Sequence, residues 1–258
     1  MRFFVVRLKT LKTILFMCLV VMFFMLDLSG SNGVMAQVFL NKNLRKVPIY
    51  SVQTNEKKVA ITFDAAWGAD KTKDIMTILK NHNAKATFFL VGFWIDKYPE
   101  LVKEIDQSGF EIGNHSNTHP DFVKLSKEQI SLEVSSVNDK IFALTNNRPA
   151  VFRSPFGSYN NLSLETINNL GLKTIQWSVD SLDWKGISAS EICKNVLTKA
   201  NNGSIILCHN NSDFIVDALP TILQTLSKRG FEFVTVSQLI YKDNYSINSQ
   251  GIQIKNGD

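Results

Sequence analysis

Between Lys58 and Val236 the chain alternates short apolar runs with stretches whose apolar residues recur every three or four positions. The runs Lys58–Phe63, Thr87–Val91, Phe110–Gly113, Ala150–Arg153, Leu172–Val179, Ser204–Cys208 and Phe231–Val236 predict strands. The stretches Asp70–Lys80, Pro99–Gln107, Ser126–Leu144, Ser163–Leu170, Ser188–Ala200 and Asp217–Arg229 predict helices. Asp70 and Ser126 stand where N-caps belong, and Gly109 follows Gln107 as a stop signal. Strands that alternate with helices through short loops imply an α/β fold with a parallel sheet. About seven such units over roughly 180 residues suit a barrel or a doubly wound sheet.

The flanks read differently. Residues 37–57 are a polar lead-in with a possible strand over Val47–Val52, and residues 243–258 are polar, hold two glycines and are expected to be loose. Near the start, the basic segment Met1 to Lys12 precedes an apolar run from Ile14 to Leu26. That run is too short for a comfortable bilayer span and suits the apolar region of an export signal. Val34-Met35-Ala36 offers a cleavage site for it. The segment is read as a cleaved signal or, because the site lies far from the apolar run, an uncleaved anchor. Membrane attachment is expected only through the uncleaved form. Residues 58–242 are left as the α/β domain.

Composition narrows the function classes. Hydrophobic residues make up 45% and charged residues 20%, which excludes disordered, collagen-like and multi-span membrane chains. The formal charge of +5 suggests nucleic acid until its placement is considered. Residues 1–36 hold four basic side chains against Asp27 alone, and the remainder carries 24 basic and 22 acidic ones. The nucleic-acid reading falls away on that subtraction. Cys193 and Cys208, the two cysteines outside the export segment, are too few for a disulfide scaffold and read as buried thiols. No oligomeric state follows from the sequence.

In parallel α/β folds reactive side chains collect at the C-terminal ends of strands. Asp64 follows the first predicted strand, His115 and His119 the third, Arg153 closes the fourth, Asp180 and Asp183 follow the fifth, and His209 closes the sixth. Each alone has a plain structural explanation as a cap, a turn residue or a satisfied strand-end histidine. Their gathering on one rim does not. The His-x-x-x-His spacing brings two imidazoles within reach of one metal on a helix or tight loop. His82, in an Asn-His-Asn stretch, reads as a surface residue.

Five ordered motifs carry a resemblance. They are Thr62-Phe63-Asp64, His115-Ser116-Asn117-Thr118-His119, Arg153-Ser154-Pro155-Phe156-Gly157, Asp180-Ser181-Leu182-Asp183-Trp184 and Leu207-Cys208-His209. Over residues 58–242 the sequence resembles the polysaccharide deacetylases of the NodB-homology family, carbohydrate esterase family 4. Pro48 to Val52 and Ala65-Ala66-Trp67-Gly68 resemble its sporulation-associated, PdaB-like branch. The resemblance implies a distorted (β/α) barrel of about seven parallel strands and hydrolytic removal of N-acetyl groups from cell-wall sugars such as peptidoglycan. It implies metal ligation by His115 and His119, with a divalent ion, zinc or else cobalt or manganese, as cofactor. Asp64 would be the general base, held ionised by Arg153; His209 would be the general acid, held and raised by Asp183. Trp184 and Leu207 would wall a pocket for the acetyl methyl.

One position departs from the family pattern. The first motif usually has two adjacent carboxylates, the second of them a metal ligand, and here that place is Ala65. Catalytic zinc normally has three protein ligands and a water. Three readings follow: a nearby group such as Asp70 substitutes, a loosely held ion serves, or hydrolysis is lost and glycan binding kept. An O-acetyl esterase is a further alternative, because ester and amide are open to the same attack.

Overall fold

The computed structural model describes residues 12–20 and 45–257. The chain divides into two units, residues 1–45 and residues 46–258. In the first, residues 12–20 are helical with exposed side chains. Among the described residues no helix is long and apolar enough to cross a membrane. The rest of the apolar run, the Val34-Met35-Ala36 site and residues 37–44 lie outside the described residues.

The second unit is built on parallel strands. In chain order they are β1 (Ser51–Val52), β2 (Lys58–Ala65), β3 (Ala86–Leu90), β4 (Glu111–Asn114), β5 (Val151–Phe152), β6 (Lys173–Thr174), β7 (Val179–Asp180), β8 (Ile205–His209) and β9 (Glu232–Phe233). The main sheet runs β6-β5-β4-β3-β2-β8-β7, all parallel, and β9 pairs with one end of β2. Helices α1 (Thr72–Asn81), α2 (Gly92–Lys97), α3 (Pro99–Gln107), α4 (Lys127–Thr145), α5 (Asn161–Asn169), α6 (Ala189–Leu197) and α7 (Ile215–Lys228) alternate with these strands. This is the expected distorted barrel.

β2 is the central strand, and its alternation divides the core. Val59, Ile61, Phe63 and Ala65 pack with apolar residues of α1, α3, α6 and α7, such as Ile75, Val102, Ile192 and Leu219. The other face carries Ala60, Thr62 and Asp64, so the polar groups of β2 share one side of the sheet. α4 follows the same logic from its sequence. Ser126 caps it in a reciprocal capping box with Gln129, Ile130, Val134, Val137 and Ile141 form its buried stripe, and Asn146 ends it at φ 59°.

Several expectations need correction. Leu172–Val179 is not one strand: it divides into β6 and β7, which lie at opposite ends of the sheet. Residues 175–178 cross the opening between those ends, and Ile49 of the lead-in pairs with Ile175 there. Phe231–Val236 keeps only β9 as strand, because Thr235 forms a capping box with Gln238 and starts a short helix, Val236–Leu239. Asp70 does not cap α1; the N-cap is Lys71, with no side-chain capping bond. α2 was not anticipated, since Phe93-Trp94-Ile95 simply extends the apolar run of β3. Its first residue must be glycine, because a Cβ on Gly92 would meet Asn117 at 2.2 Å.

The expected loose tail is ordered. Tyr245–Ile247 and Ile252–Lys255 form an antiparallel pair, β10 and β11, and β11 pairs in parallel with β1. Gln253 is fully buried there, accepting from the Tyr241 amide at 2.9 Å and donating to the Tyr241 carbonyl at 2.8 Å. A buried amide that does the work of a backbone ladder is invisible to a polarity count.

Candidate active site

The ends of β2, β4, β5, β7 and β8 surround a cleft of about 700 Å³. Seven of the eight predicted site residues line it: Asp64, His115, His119, Asp183, Trp184, Leu207 and His209. Arg153 lies beneath, fully buried. Sheet register makes Asp64 and His209 direct neighbours on β2 and β8. His82 is the C-cap residue of α1 and is not among the lining residues.

Arg153 anchors the floor. It donates to Asp64 Oδ1 at 2.7 Å, to the Thr62 hydroxyl at 2.8 Å and to the Gln176 carbonyl at 3.2 Å. Its guanidinium lies 4.2 Å from the centre of the Phe89 ring. The Thr62 hydroxyl in turn donates a hydrogen bond to the Ile206 carbonyl at 2.6 Å, so the network is directional. Burial pushes the Asp64 carboxyl upward, but Arg153, then His115 and His209, outweigh it and hold Asp64 below its ordinary range.

The two histidines of the third loop differ in setting. His115 Nδ1 is 2.8 Å from the Arg153 carbonyl, which can only accept, so Nδ1 carries the proton and Nε2 the lone pair. That Nε2 faces Asp64 Oδ2 at 3.6 Å. Burial lowers the basicity of His115, against the pull of Asp64. His119 is depressed to about 4, by burial first and by His115 second. The two rings stand nearly perpendicular with centroids 5.0 Å apart. Glu133 of α4 holds this loop, accepting from the amides of Asn117 and Thr118 at 2.8 Å each and from the Thr118 hydroxyl at 2.7 Å.

On the opposite side Asp183 grips His209 twice. One oxygen accepts from the His209 amide and the other from Nδ1, both at 2.8 Å. Burial draws the imidazole down, yet the bond and charge of Asp183, with the charge of Asp64, raise it above its ordinary value. The cleft therefore holds a carboxylate that is readily ionised and an imidazole that readily keeps its proton.

The residues fall one ligand short of a metal centre. Ala65 is fully buried against the helix-facing core and offers no donor. Asp70 is exposed and is not among the cleft-lining residues, so it does not substitute. Asp64 Oδ1 is committed to Arg153. Among the described residues no group of three or more His, Cys, Asp or Glu is placed to hold an ion. The donor set does not fit a tightly held resident metal.

Sequence reasoning missed several contributors. Trp67, Ser154, Phe156 and Trp177 also line the cleft. Glu133 reads in sequence as one charge on a polar helix face. Asn210 donates to the Gly68 carbonyl, as does the Trp94 indole, and together they pin the loop after β2. Trp67 follows Asp64 by three residues and Ser154 and Phe156 lie within the third motif, whereas Trp177, Glu133 and Asn210 carried no such signal.

Fold and site define a distorted (β/α) barrel with paired acid and base side chains at its strand ends. The chain belongs to the polysaccharide deacetylase family, which it matches over residues 51–175. It is 36% identical over 205 residues to the peptidoglycan-N-acetylglucosamine deacetylase PgdA of Listeria monocytogenes, covering 80% of this chain and 43% of that protein. It thus spans less than half the length of that relative. A peptidoglycan-N-acetylglucosamine deacetylase of Bacillus cereus is 35% identical, over 74% of this chain and 92% of its own. Among solved structures it is similar to BA3943 from Bacillus anthracis, a CE4 family pseudoenzyme, at 33% identity and a TM-score of 0.73, over 77% of this chain and 70% of that one. A mutant of BA3943, described as having restored enzymatic activity, matches at 35% identity with the same TM-score, over 77% of this chain and 72% of that one.

Proposed function

We propose that this chain is an exported hydrolase that removes N-acetyl groups from peptidoglycan or a related N-acetylglucosamine polymer of the cell wall or spore envelope. The observation that carries the proposal is the register of Asp64 and His209. A low carboxylate and a raised imidazole stand side by side over one cleft, each locked by its own buried partner. The family membership and the curated relatives named as peptidoglycan deacetylases support the substrate class.

The residues divide the reaction as follows. Asp64 takes a proton from a water as its oxygen bonds to the acetamide carbonyl carbon. Arg153 keeps Asp64 ionised and fixes its orientation. When the C–N bond breaks, His209 gives a proton to the departing amine, and Asp183 supports the charged imidazole. The products are acetate and a free amino sugar. The His115 and His119 pair lacks the third protein ligand of a tightly held metal.

A second reading is a glycan-binding protein without turnover, favoured by Ala65. One experiment separates them. Acetate release from N-acetylglucosamine oligomers and peptidoglycan is measured with the full chain, stripped of metal and then with zinc, cobalt or manganese, beside Asp64→Asn. Release that the substitution abolishes supports the hydrolase. Saccharide binding with no acetate under any condition supports the binder.

A further inference from the structure

The sheet is open between β6 and β7, and the residues that cross the opening meet Arg153. The Gln176 carbonyl accepts from Arg153 Nη2 at 3.2 Å, and the Trp177 ring, which lines the cleft, lies 5.7 Å from the guanidinium. Arg153 Nη1 serves Asp64 and Thr62, and Nε has no hydrogen-bond partner among the described residues. The Gln176 carbonyl is therefore what fixes the Nη2 end of the guanidinium.

The crossing is backed by the lead-in. At its ends Ile175 donates to the Phe152 carbonyl at 2.8 Å and Ser178 to the Ile205 carbonyl at 3.1 Å. Between them the Gln176 amide donates to the Ile49 carbonyl at 2.7 Å, and the Ile49 amide donates to the Thr174 carbonyl at 3.0 Å. Gln176 thus joins two bonds: the lead-in holds its amide, and its carbonyl holds Arg153. Ile49 is itself buried in the apolar cluster that includes Phe89, Ile175 and Ile205.

The far end of the chain seats the lead-in. Tyr50 donates to the Gly251 carbonyl at 2.8 Å, Gln53 to the Gln253 carbonyl at 2.9 Å and Val52 to the Gly203 carbonyl at 3.0 Å. A Cβ on Gly251 would overlap the Tyr50 ring, and one on Gly203 the Val52 carbonyl. Both glycines also have positive φ, 77° and 75°, so close approach and backbone conformation both call for glycine there.

We infer that the lead-in, seated on Gly203 and Gly251, is a clasp that positions Arg153 through Gln176, so that residues remote from the cleft set the geometry of the Asp64–Arg153 pair. Ile49 and Gln176 are positioning residues. The effect on turnover rests on the hydrolase reading, whereas the hold on the guanidinium does not.

The test compares the full chain with four variants. Gly251→Ala loosens the clasp by collision, and Ile49→Ala by removing buried side chain. Ile49→Val is the conservative counterpart. Gly171→Ala is the control for backbone strain, because Gly171 has φ 84° and nothing within 4 Å of its Cβ position. Nitrogen-15 NMR of arginine-labelled protein reports the hold on Arg153, since a guanidinium fixed by hydrogen bonds rotates slowly and gives separate Nη signals. Hydrogen exchange reports the Gln176 amide, with the β3 amides as a check on folding, and acetate release gives kcat and KM. In Gly251→Ala and Ile49→Ala the Arg153 Nη signals should merge and the Gln176 amide should lose protection while β3 keeps its own. In the same variants kcat should fall about tenfold with KM little changed, since displacement transmitted from far outside a site can cost up to about a hundredfold. Ile49→Val and Gly171→Ala should match the parent. If one loosening variant fails to fold, the other carries the comparison. A Gln176 amide that exchanges freely while Arg153 and kcat stay as in the parent would overturn the clasp. So would full protection of Gln176 in both loosening variants, or an equal loss in Gly171→Ala. Merging of the Arg153 signals in variants of a chain that releases no acetate would support the clasp while removing the hydrolase reading.

Discussion

Arg153→Met keeps much of the side-chain volume and removes the guanidinium. In the parent that group is fully buried, 2.7 Å from Asp64, 2.8 Å from the Thr62 hydroxyl and 3.2 Å from the Gln176 carbonyl. Its loss strands a largely buried carboxylate. Breaking one partner of a buried ion pair costs about 3–5 kcal/mol. The pH dependence carries a sign that identifies the cause. In the parent, Asp64 is held below its ordinary value, so it contributes stability above the unfolded-state value that is lost as pH falls through the folded value. In the variant, burial, the largest influence on Asp64, loses its chief opponent, and Asp64 is raised above its unfolded value. The variant should therefore lag the parent most at neutral pH and approach it under mild acid. Urea unfolding of the parent, Arg153→Met and Arg153→Met/Asp64→Asn at both conditions measures this. The double variant, with no charge to strand, should regain a large part of the loss. A loss of less than about 1 kcal/mol, the worth of an exposed pair, with no pH dependence, would refute the reasoning.

Two more outcomes follow from the site. Asp183→Asn removes the charge that raises His209, so the alkaline limb of the acetate-release profile should move to lower pH with KM little changed. In stability, the raised His209 contributes below its unfolded value and loses that contribution as pH rises through the folded value. An unshifted limb would remove His209 from the role of acid. Ala65→Asp places a carboxylate in a fully buried slot, so the metal-free variant should unfold more easily than the parent. Zinc should restore that stability by binding the native state, with at least tenfold tighter binding than in the parent by calorimetry. Equal zinc affinity in both chains would show that position 65 is not what limits the metal site.

The strands and helices were legible wherever burial was one-sided or complete. β2, β3 and β8 read directly as apolar runs, and α4 announced its cap and its stripe. The rim was legible too, because parallel strands deliver their terminal residues to one end and the chain order of Asp64, His115, Arg153, Asp183 and His209 respects that rule. What stayed hidden depends on partners distant in sequence. Gln253 is polar yet buried because Tyr241 meets both ends of its amide. Leu172–Val179 alternates apolar and polar residues as a single strand would, and no local signal says that the sheet opens between Thr174 and Val179. Glu133 matters only because α4 passes behind the histidine loop.

The intact acid and base pairs are weaker support for catalysis than they first look. Arg153 is wholly buried against Asp64, and Asp183 is buried against His209, so deleting either member of a pair strands a buried charge. The fold alone gives reason for both pairs to stay. Backbone strain has no such excuse. Seven non-glycine residues among those described have positive φ, and three of them, Asn83, Asn146 and Asn244, are asparagines, for which the left-handed region is cheap. The other four are Ser116, His119, Phe156 and Leu182, and every one lies in the motif loops that follow β4, β5 and β7. Strain of this kind costs about 1–3 kcal/mol per residue and is concentrated where the cleft is built. Ser116 and His119 set the histidine loop, Phe156 projects an exposed ring, and Leu182 immediately precedes Asp183 and Trp184. A fold that needed only to be stable could relax these turns with glycine or asparagine. Strain gathered at a cleft is the pattern expected of a functional site, and the exposed Trp67 and Phe156 beside these turns line the same cleft.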